Sequence, residues 1–382
     1  MASRRMLLTT GAASIVVAGL GGTWWANTGP ARSAREPWRR AATGFGDPRL
    51  DVLAYAILAP NPHNIQPWRV ALNDGLGFTV YCDLERLLPE TDPPNRQITI
   101  GFGCFLELCR QAAAEAGYRA DITYFPDGEP DDLLDKSPIA TVELVEDSSI
   151  ESDILFATVL GRRTNRLEFD TSRPVENSVL RRLEAANVED VNVHTTSDAA
   201  LVEQIKALAV DAWSVEWSTQ RTRRESIDVS RIGGAAVDAN PNGLAMDDRL
   251  SSTLGRFGLM TLESLDDPES MAYRESFAFY ERACKSVSAF VWSTTSENTR
   301  SVQLEAGRAW VRVQLAANAA GLGFHPLSQA LQEFPEMSEH YRRAHDLLTR
   351  NTGETVQMLA RLGYGKAIGP APRETLESKL VS

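Results

Sequence analysis

Along this 382-residue chain the spacing of apolar positions changes period several times. Leu50, Leu53, Ala54, Ile57 and Leu58 recur at helical spacing, which predicts a short helix with one buried face. Pro60, Pro62 and Pro67 interrupt it. Trp68 to Leu72 and Phe78 to Cys82 then read as two strands around the turn signal Asn73-Asp74-Gly75, a β-hairpin. After a Pro-rich loop from Leu88 to Arg96, residues 98–117 carry a long helical pattern closing on Gly117, followed by short strands near 120–125 and 139–144. A second cycle begins at residue 150, with helices near 152–160, 175–186 and 198–217 and a strand near 191–194. Residues 226–250 break the pattern, because Gly233, Gly234, Pro241 and Gly243 among several Asp and Asn predict a loop or lid outside the core. Helical patterns resume over 269–294 and from Ser301 to Ala320, the latter closed by Gly321.

The two long closing helices resemble each other. Gly103 and Gly117 have the same separation as Gly307 and Gly321, and Ala112, Ala113 and Ala116 align with Ala316, Ala317 and Ala320. Small residues at that spacing suit any tightly packed helix. Set inside two helix-and-strand cycles, the match favours a chain built from two related halves, 35–150 and 151–382.

Composition narrows the function classes. The chain is 43% apolar and 24% charged, an ordinary globular balance, and its net charge of -12 argues against a nucleic-acid surface. Cys82, Cys104, Cys109 and Cys284 form no C-x-x-C pair and have no histidine at zinc-finger spacing, so they read as buried small side chains. Residues 1–34 stand apart. Ser3-Arg4-Arg5 precedes a weakly apolar Gly/Ala-rich run with no further charge until Arg32, which reads as a twin-arginine export signal. The expected location is therefore the periplasm or the outer face of the cytoplasmic membrane, with the export machinery as a partner. If the segment were retained, Trp24 and Trp25 would sit at a membrane interface as part of an anchor.

Common catalytic patterns are missing: no G-x-S-x-G, H-E-x-x-H, P-loop or strand-to-helix G-x-G-x-x-G occurs. His340 and His345 are spaced wrongly for a shared metal on a helix and read as solvated surface residues, and no metal site is expected. Three clusters remain. The Pro-stiffened loop 59–68 places the carboxamides of Asn64 and Gln66 two residues apart, where each offers a donor and an acceptor to a planar heterocycle or to loop backbone. Arg162-Arg163-Thr164-Asn165-Arg166 concentrates three guanidinium groups and a hydroxyl in an acidic chain, a set suited either to phosphate or to a solvated helix end. The third is the run 357–365 with the Pro-flanked arm that carries Arg373.

These blocks, in order, resemble the nitroreductase superfamily and within it the Acg-type branch, in which one chain contains two nitroreductase-like halves. The resemblance runs through Asn64 to Trp68, Arg86-Leu87-Leu88-Pro89 with Asp92-Pro93, the Arg162 to Arg166 block, Ala306-Gly307, Pro326-Leu327-Ser328-Gln329, and Arg361 to Gly365. It implies an α+β fold with helices around a mixed, mostly antiparallel sheet, the halves fused as an internal pseudo-dimer, as a monomer or a homodimer. It implies FMN, with Arg162, Arg163, Thr164 and Arg166 holding phosphate and ribityl chain, Arg373 arriving from the tail, Asn64 and Gln66 addressing the pyrimidine edge, and Pro326, Leu327 and Ser328 lining the ring. Asn61, Pro62 and Ile65 depart from the usual loop.

The implied activity is ping-pong electron transfer from NAD(P)H or a quinol to a quinone or nitroaromatic, with small molecules as donor and acceptor. No acid or base need come from the protein, so no catalytic side chain is named; Arg166 is the candidate to stabilise the reduced, anionic ring. The alternative is a flavin-sequestering or sensing protein whose lid, 226–250, keeps donors out.

Overall fold

The computed structural model describes residues 29–381, so the export signal expected over 1–34 lies almost wholly outside the described residues. No described helix is long and apolar enough to cross a membrane.

The hairpin forms as the alternation requires. β1 (Trp68–Leu72) and β2 (Gly77–Cys82) pair antiparallel with Val70 opposite Val80, which turns Trp68, Val70, Phe78 and Val80 inward. β3 (Tyr118–Tyr124) and β4 (Ala140–Glu146) extend that sheet in the order β1-β2-β4-β3. The second half makes its own sheet. Here β5 (Asn192–Thr196), β8 (Ala289–Thr295), β9 (Gly323–Pro326) and β10 (Thr355–Gly363) lie antiparallel in the order β5-β8-β10-β9. The last strand, β11 (Leu380–Val381), crosses back and pairs parallel with β1, so the chain end belongs to the first half's sheet. Helices on these two mostly antiparallel sheets make the protein α+β.

Between the sheets cross the two long helices, Arg96–Glu115 and Arg300–Ala319. Each is 20 residues long, and each begins with a buried arginine. Across the crossing, the buried carboxylate of Glu107 accepts from Arg308 at 3.1 Å and Arg312 at 2.7 Å. Fixed ion pairs and close backbone contact thus join the halves. Trp68 is fully buried, tilted against Phe105 with ring centroids 5.1 Å apart, and belongs to the core, as do the four cysteines.

Several expectations are corrected. The helical pattern over 269–294 ends at Lys285, and 289–295 is the central strand β8; its fully buried position removes the alternation that would have identified a strand. The helix expected near 152–160 is a 3-10 turn, Phe156–Gly161. His345 is not a solvated residue: its Nδ1 meets Tyr341 O at 2.8 Å and its Nε2 accepts from the Val356 amide at 3.0 Å, so it ties a helix to β10. Residues 226–250 are not an open loop. They hold the parallel pair β6 (Ser230–Ile232) and β7 (Leu244–Met246) and the helix Gly234–Ala239 between them.

Candidate functional site

The site is assembled from both halves. The helix Pro48–Ala56 ends at Ile57, leaving the carbonyls of Leu58 and Ala59 free to accept from outside. Arg162 donates to Leu58 O at 2.8 Å; Arg373, from the C-terminal arm, donates to Leu58 O at 3.0 Å and Ala59 O at 3.1 Å. Two guanidinium groups from opposite ends of the second half therefore share one carbonyl of the first half. Arg163 is held beside them through its own backbone region, by Leu160 O and Arg162 O at 2.8 and 2.7 Å. The indole of Trp38 lies against all three, 5.5 Å from Arg162, 5.1 Å from Arg163 and 5.5 Å from Arg373.

This cluster is electrostatically unfinished. Among the described residues none of the three arginines has a carboxylate partner, and the buried Nε of Arg162 and of Arg373 has no acceptor. Burial, with Arg163 adding repulsion, lowers Arg162 to about 10. Burial followed by repulsion from Arg162 and Arg163 pushes Arg373 well below its ordinary value. The negative end of the helix Pro48–Ala56 offsets only part of this charge. Three gathered cations with unused N–H donors form a site for an anion bearing several acceptor oxygens.

Around the cluster the Arg162 to Asn165 stretch is pinned residue by residue. Gln314, from the second long helix, accepts from Arg162 at 3.1 Å and donates to Arg163 O at 3.2 Å and to the Thr164 hydroxyl at 3.4 Å. Asn165 donates to Lys366 O at 2.9 Å. Arg361, fully buried on β10, reaches Leu167 O at 2.7 Å and His325 Nδ1 at 2.9 Å.

What is left over is Arg166. It makes no hydrogen bond or ion pair among the described residues, and solvent reaches it. Even so, desolvation by surrounding protein lowers its pKa from the ordinary arginine value, and its field in turn helps to lower His63 and His325 and acts on Tyr280. Its side chain therefore meets both water and protein. Desolvation is the main cause at His63, which falls to about 4 and faces the Ser226 hydroxyl at 2.8 Å.

The loop 59–68 forms one wall. His63, Asn64 and Gln66 all have left-handed backbone, a conformation costing roughly 1 kcal/mol or more apiece for such residues. Asn61 holds the strained turn by accepting from the Gln66 amide at 2.9 Å, which gives this departure from the usual loop a structural role. Gln66 itself is fully buried and fully used: its amide nitrogen donates to Pro241 O at 2.9 Å and Asn64 O at 3.2 Å, and its oxygen accepts from the Glu374 amide at 2.9 Å. Asn64 bonds to Arg373, Pro372 O and Gly243 O. Both carboxamides thus stitch loop, C-terminal arm and the 226–250 segment together.

Pro326 ends β9 opposite Ala360, Leu327 is buried with its amide on Leu359 O at 2.8 Å, and Ser328 is half-buried. Of the residues singled out in the sequence, the structure brings Arg162, Arg163, Arg373 and Asn64 into one cluster, with Thr164 beside it through Gln314. Arg166 stays outside it, exposed and without a hydrogen bond or ion pair among the described residues. Sequence reasoning missed Trp38, Gln314 and His325. Trp38 has no motif around it, and Gln314 is one polar position inside a helical repeat of apolar ones.

No family model matches the chain. It is 26% identical over 329 residues to "Putative NAD(P)H nitroreductase Rv3131" of Mycobacterium tuberculosis, spanning 85% of this chain and 88% of that protein. To "Uncharacterized protein Rv3127" of the same organism it is 28% identical over 339 residues, 85% and 90% of the two chains. A shorter match, 36% over 119 residues, links 30% of the chain to 33% of "Putative NAD(P)H nitroreductase acg". Among solved structures, a nitroreductase with bound FMN from Bacteroides fragilis overlaps 57% of this chain and 93% of its own at TM-score 0.33 and 12% identity. The FMN-dependent nitroreductase NfnB of Mycobacterium smegmatis, in complex with NADPH, overlaps 57% and 92% at TM-score 0.34 and 16% identity. Overlaps that loose carry no argument; the sequence relatives, which span most of the chain, support a relationship to the nitroreductases.

Proposed function

We propose that this chain is an FMN-dependent oxidoreductase of the nitroreductase type, its two halves fused as an internal pseudo-dimer around one flavin site. The observation that carries the reading is the pair of buried arginines Arg162 and Arg373 with half-buried Arg163 beside them, without a carboxylate among the described residues and with two unused Nε donors. A flavin phosphate supplies the missing charge and acceptors, and the residues fit that group. Thr164 is the remaining donor for phosphate or ribityl oxygens. Pro326, Leu327 and Ser328 provide the wall for the ring. Arg166, exposed and uncommitted among the described residues, is the cation for the pyrimidine edge, where its charge favours the reduced, anionic ring. Gln66 and Asn64 both fit ring reading poorly, since the donors and acceptor of each are already committed within the protein.

When bound, the flavin accepts a hydride and passes electrons on; the protein supplies position, charge and exclusion of water. In this role the neutral state of His63 matters, because an imidazolium beside Arg166 would add to its positive field. The donor is NAD(P)H or a quinol and the acceptor a quinone or nitroaromatic, in ping-pong turnover. Export by the twin-arginine route, to the periplasm or outer membrane face, favours the quinol, since reduced nicotinamide is scarce there. Robust NADPH oxidation by the intact protein at micromolar coenzyme would count against that preference.

The test of the main reading is the absorption spectrum of protein made with its N-terminal segment intact, followed by FMN titration of the colourless fraction. Loss of saturable binding in Arg373→Ala and Arg162→Ala is expected; a protein that never takes up flavin sinks the proposal. The second reading, a flavin-sequestering or sensing protein, draws on the docking of 226–250 over loop 59–68. Stopped-flow mixing with NADH, NADPH and reduced quinones separates the two, since a sequestered ring would never bleach.

A further inference from the structure

His325 is 2% exposed on β9, opposite Arg361 on β10. Arg361 Nε donates to its Nδ1 at 2.9 Å, and the other donors of this guanidinium go to Ser286 O at 3.0 Å and Leu167 O at 2.7 Å. A guanidinium has donors only, so Nδ1 must be the acceptor. A neutral imidazole then carries its one proton on Nε2, whereas an imidazolium would set N–H against N–H. Burial and the charges of Arg361 and Arg166 act the same way, holding His325 well below its ordinary range. The histidine is thus fixed in both charge and tautomer.

The Nε2 proton is unused. Among the described residues it has no hydrogen-bond partner, although a buried N–H left unpaired is costly. Tyr280 meets the imidazole edge-on, with ring centroids 5.3 Å apart, and is itself held by donating to Gln329 at 2.9 Å. Arg166 acts on His325 and Tyr280 through its charge and keeps its own donors. A buried neutral donor and an uncommitted cation, from separate segments, therefore lie within electrostatic reach of each other. What satisfies both is an electron-rich edge bearing several acceptors. Pro326, where the proposed ring wall begins, follows His325 directly.

We infer that His325 contacts the flavin: Arg361 keeps its proton on Nε2, and this N–H joins Arg166 at the acceptor-bearing pyrimidine edge of the ring. The inference rests on the flavin reading above. Its test uses the full chain with isotopically labelled histidine. Long-range proton–nitrogen correlation, with the His325 signal identified by its loss in His325→Gln, should show the Nε2–H tautomer from about pH 5 to about pH 8. That proton should move downfield when FMN is added. The potential of bound FMN is the second readout. His325→Phe should weaken binding of reduced relative to oxidised flavin about tenfold, which lowers the two-electron potential by about 30 mV. His325→Gln, whose amide can accept from Arg361 and still donate, should restore most of that difference. An Nδ1–H or doubly protonated ring, or a proton unmoved by FMN, overturns the inference. So does an unchanged potential in His325→Phe with FMN bound, which would leave His325 a tie between β9 and β10. If His325→Phe does not fold, the proton shift in the parent protein decides. A chain that takes up no FMN sinks the flavin reading and this inference together, an outcome distinct from bound flavin that leaves His325 unmoved.

Discussion

Gly103 and Gly307 meet where the two long helices cross, so closely that a methyl group on Gly103 would lie 2.0 Å from Leu304 O and one on Gly307 would lie 2.0 Å from Ile100 O. The contact is reciprocal: the residue three before each glycine supplies the carbonyl that limits the other. Helices Arg96–Glu115 and Arg300–Ala319 therefore approach each other through equivalent positions at the crossing.

Gly103→Ala and Gly307→Ala should each force the helices apart and cost about 3 kcal/mol or more, beyond ordinary overpacking because the obstacle is backbone. Gly369→Ala, where nothing lies within 4 Å, should cost little. Thermal melts and urea titrations compare the three; near-equal stability would mean the crossing is loosely packed.

Removing a cation from the arginine cluster should separate stability from binding. Arg163→Ala relieves repulsion on Arg162 and Arg373, so the anion-free protein should melt at or above the parent temperature. Binding of FMN or inorganic phosphate should weaken by roughly 10–100-fold, the worth of about one or two charge-assisted hydrogen bonds. A variant that melts lower and binds unchanged would make Arg163 a packing residue only.

Glu216 provides a pH test. It is 4% exposed, its Oε2 has no partner, and burial pushes it up to about 7 from 4.5. A folded-state value above the unfolded one means its contribution is fully present below 4.5 and is lost as pH rises through 7. Glu216→Gln keeps the neutral form, so relative to the parent it should gain stability between about pH 5 and about pH 8, by roughly 3 kcal/mol at most. Parallel pH profiles for the two proteins would refute this assignment of protonation.

The latch over loop 59–68 depends on Gly243, whose φ is +79° and whose amide donates to Asn64 O at 2.9 Å. An added methyl would stand 1.9 Å from Val229 O. Gly243→Ala should therefore lift the β6–β7 segment from the loop and speed tryptic cleavage at Arg231 while the core stays folded. Unchanged cleavage would show that the other contacts, such as Gln66 to Pro241 O, hold the segment alone.

Legibility followed the length scale of each interaction. The hairpin Trp68–Leu72 with Gly77–Cys82 and the two long helices were readable because alternation, turn residues and helical spacing are local. β8 was not: a strand buried on both faces has no polar beat, and its apolar run continued the pattern of the helix before it. The segment 226–250 misled for the opposite reason. Its glycines and asparagines are turn residues, yet two three-residue stretches on either side of a short helix pair with each other as parallel strands.

The site divides the same way. The sequence by itself determined which groups carry charge: three guanidiniums in a five-residue block, one on a Pro-flanked arm, and an acidic remainder that offered many carboxylates to neutralise them. Only the tertiary structure decided that, among the described residues, Arg162, Arg163 and Arg373 receive none of those carboxylates and meet the end of a first-half helix and the ring of Trp38 instead. It also decided that Gln66 spends its amide on backbone while Arg166 keeps its donors. The physical reason is that a side chain's character is written in its own atoms, whereas its partner is set by which distant segments the packed core brings within hydrogen-bonding reach.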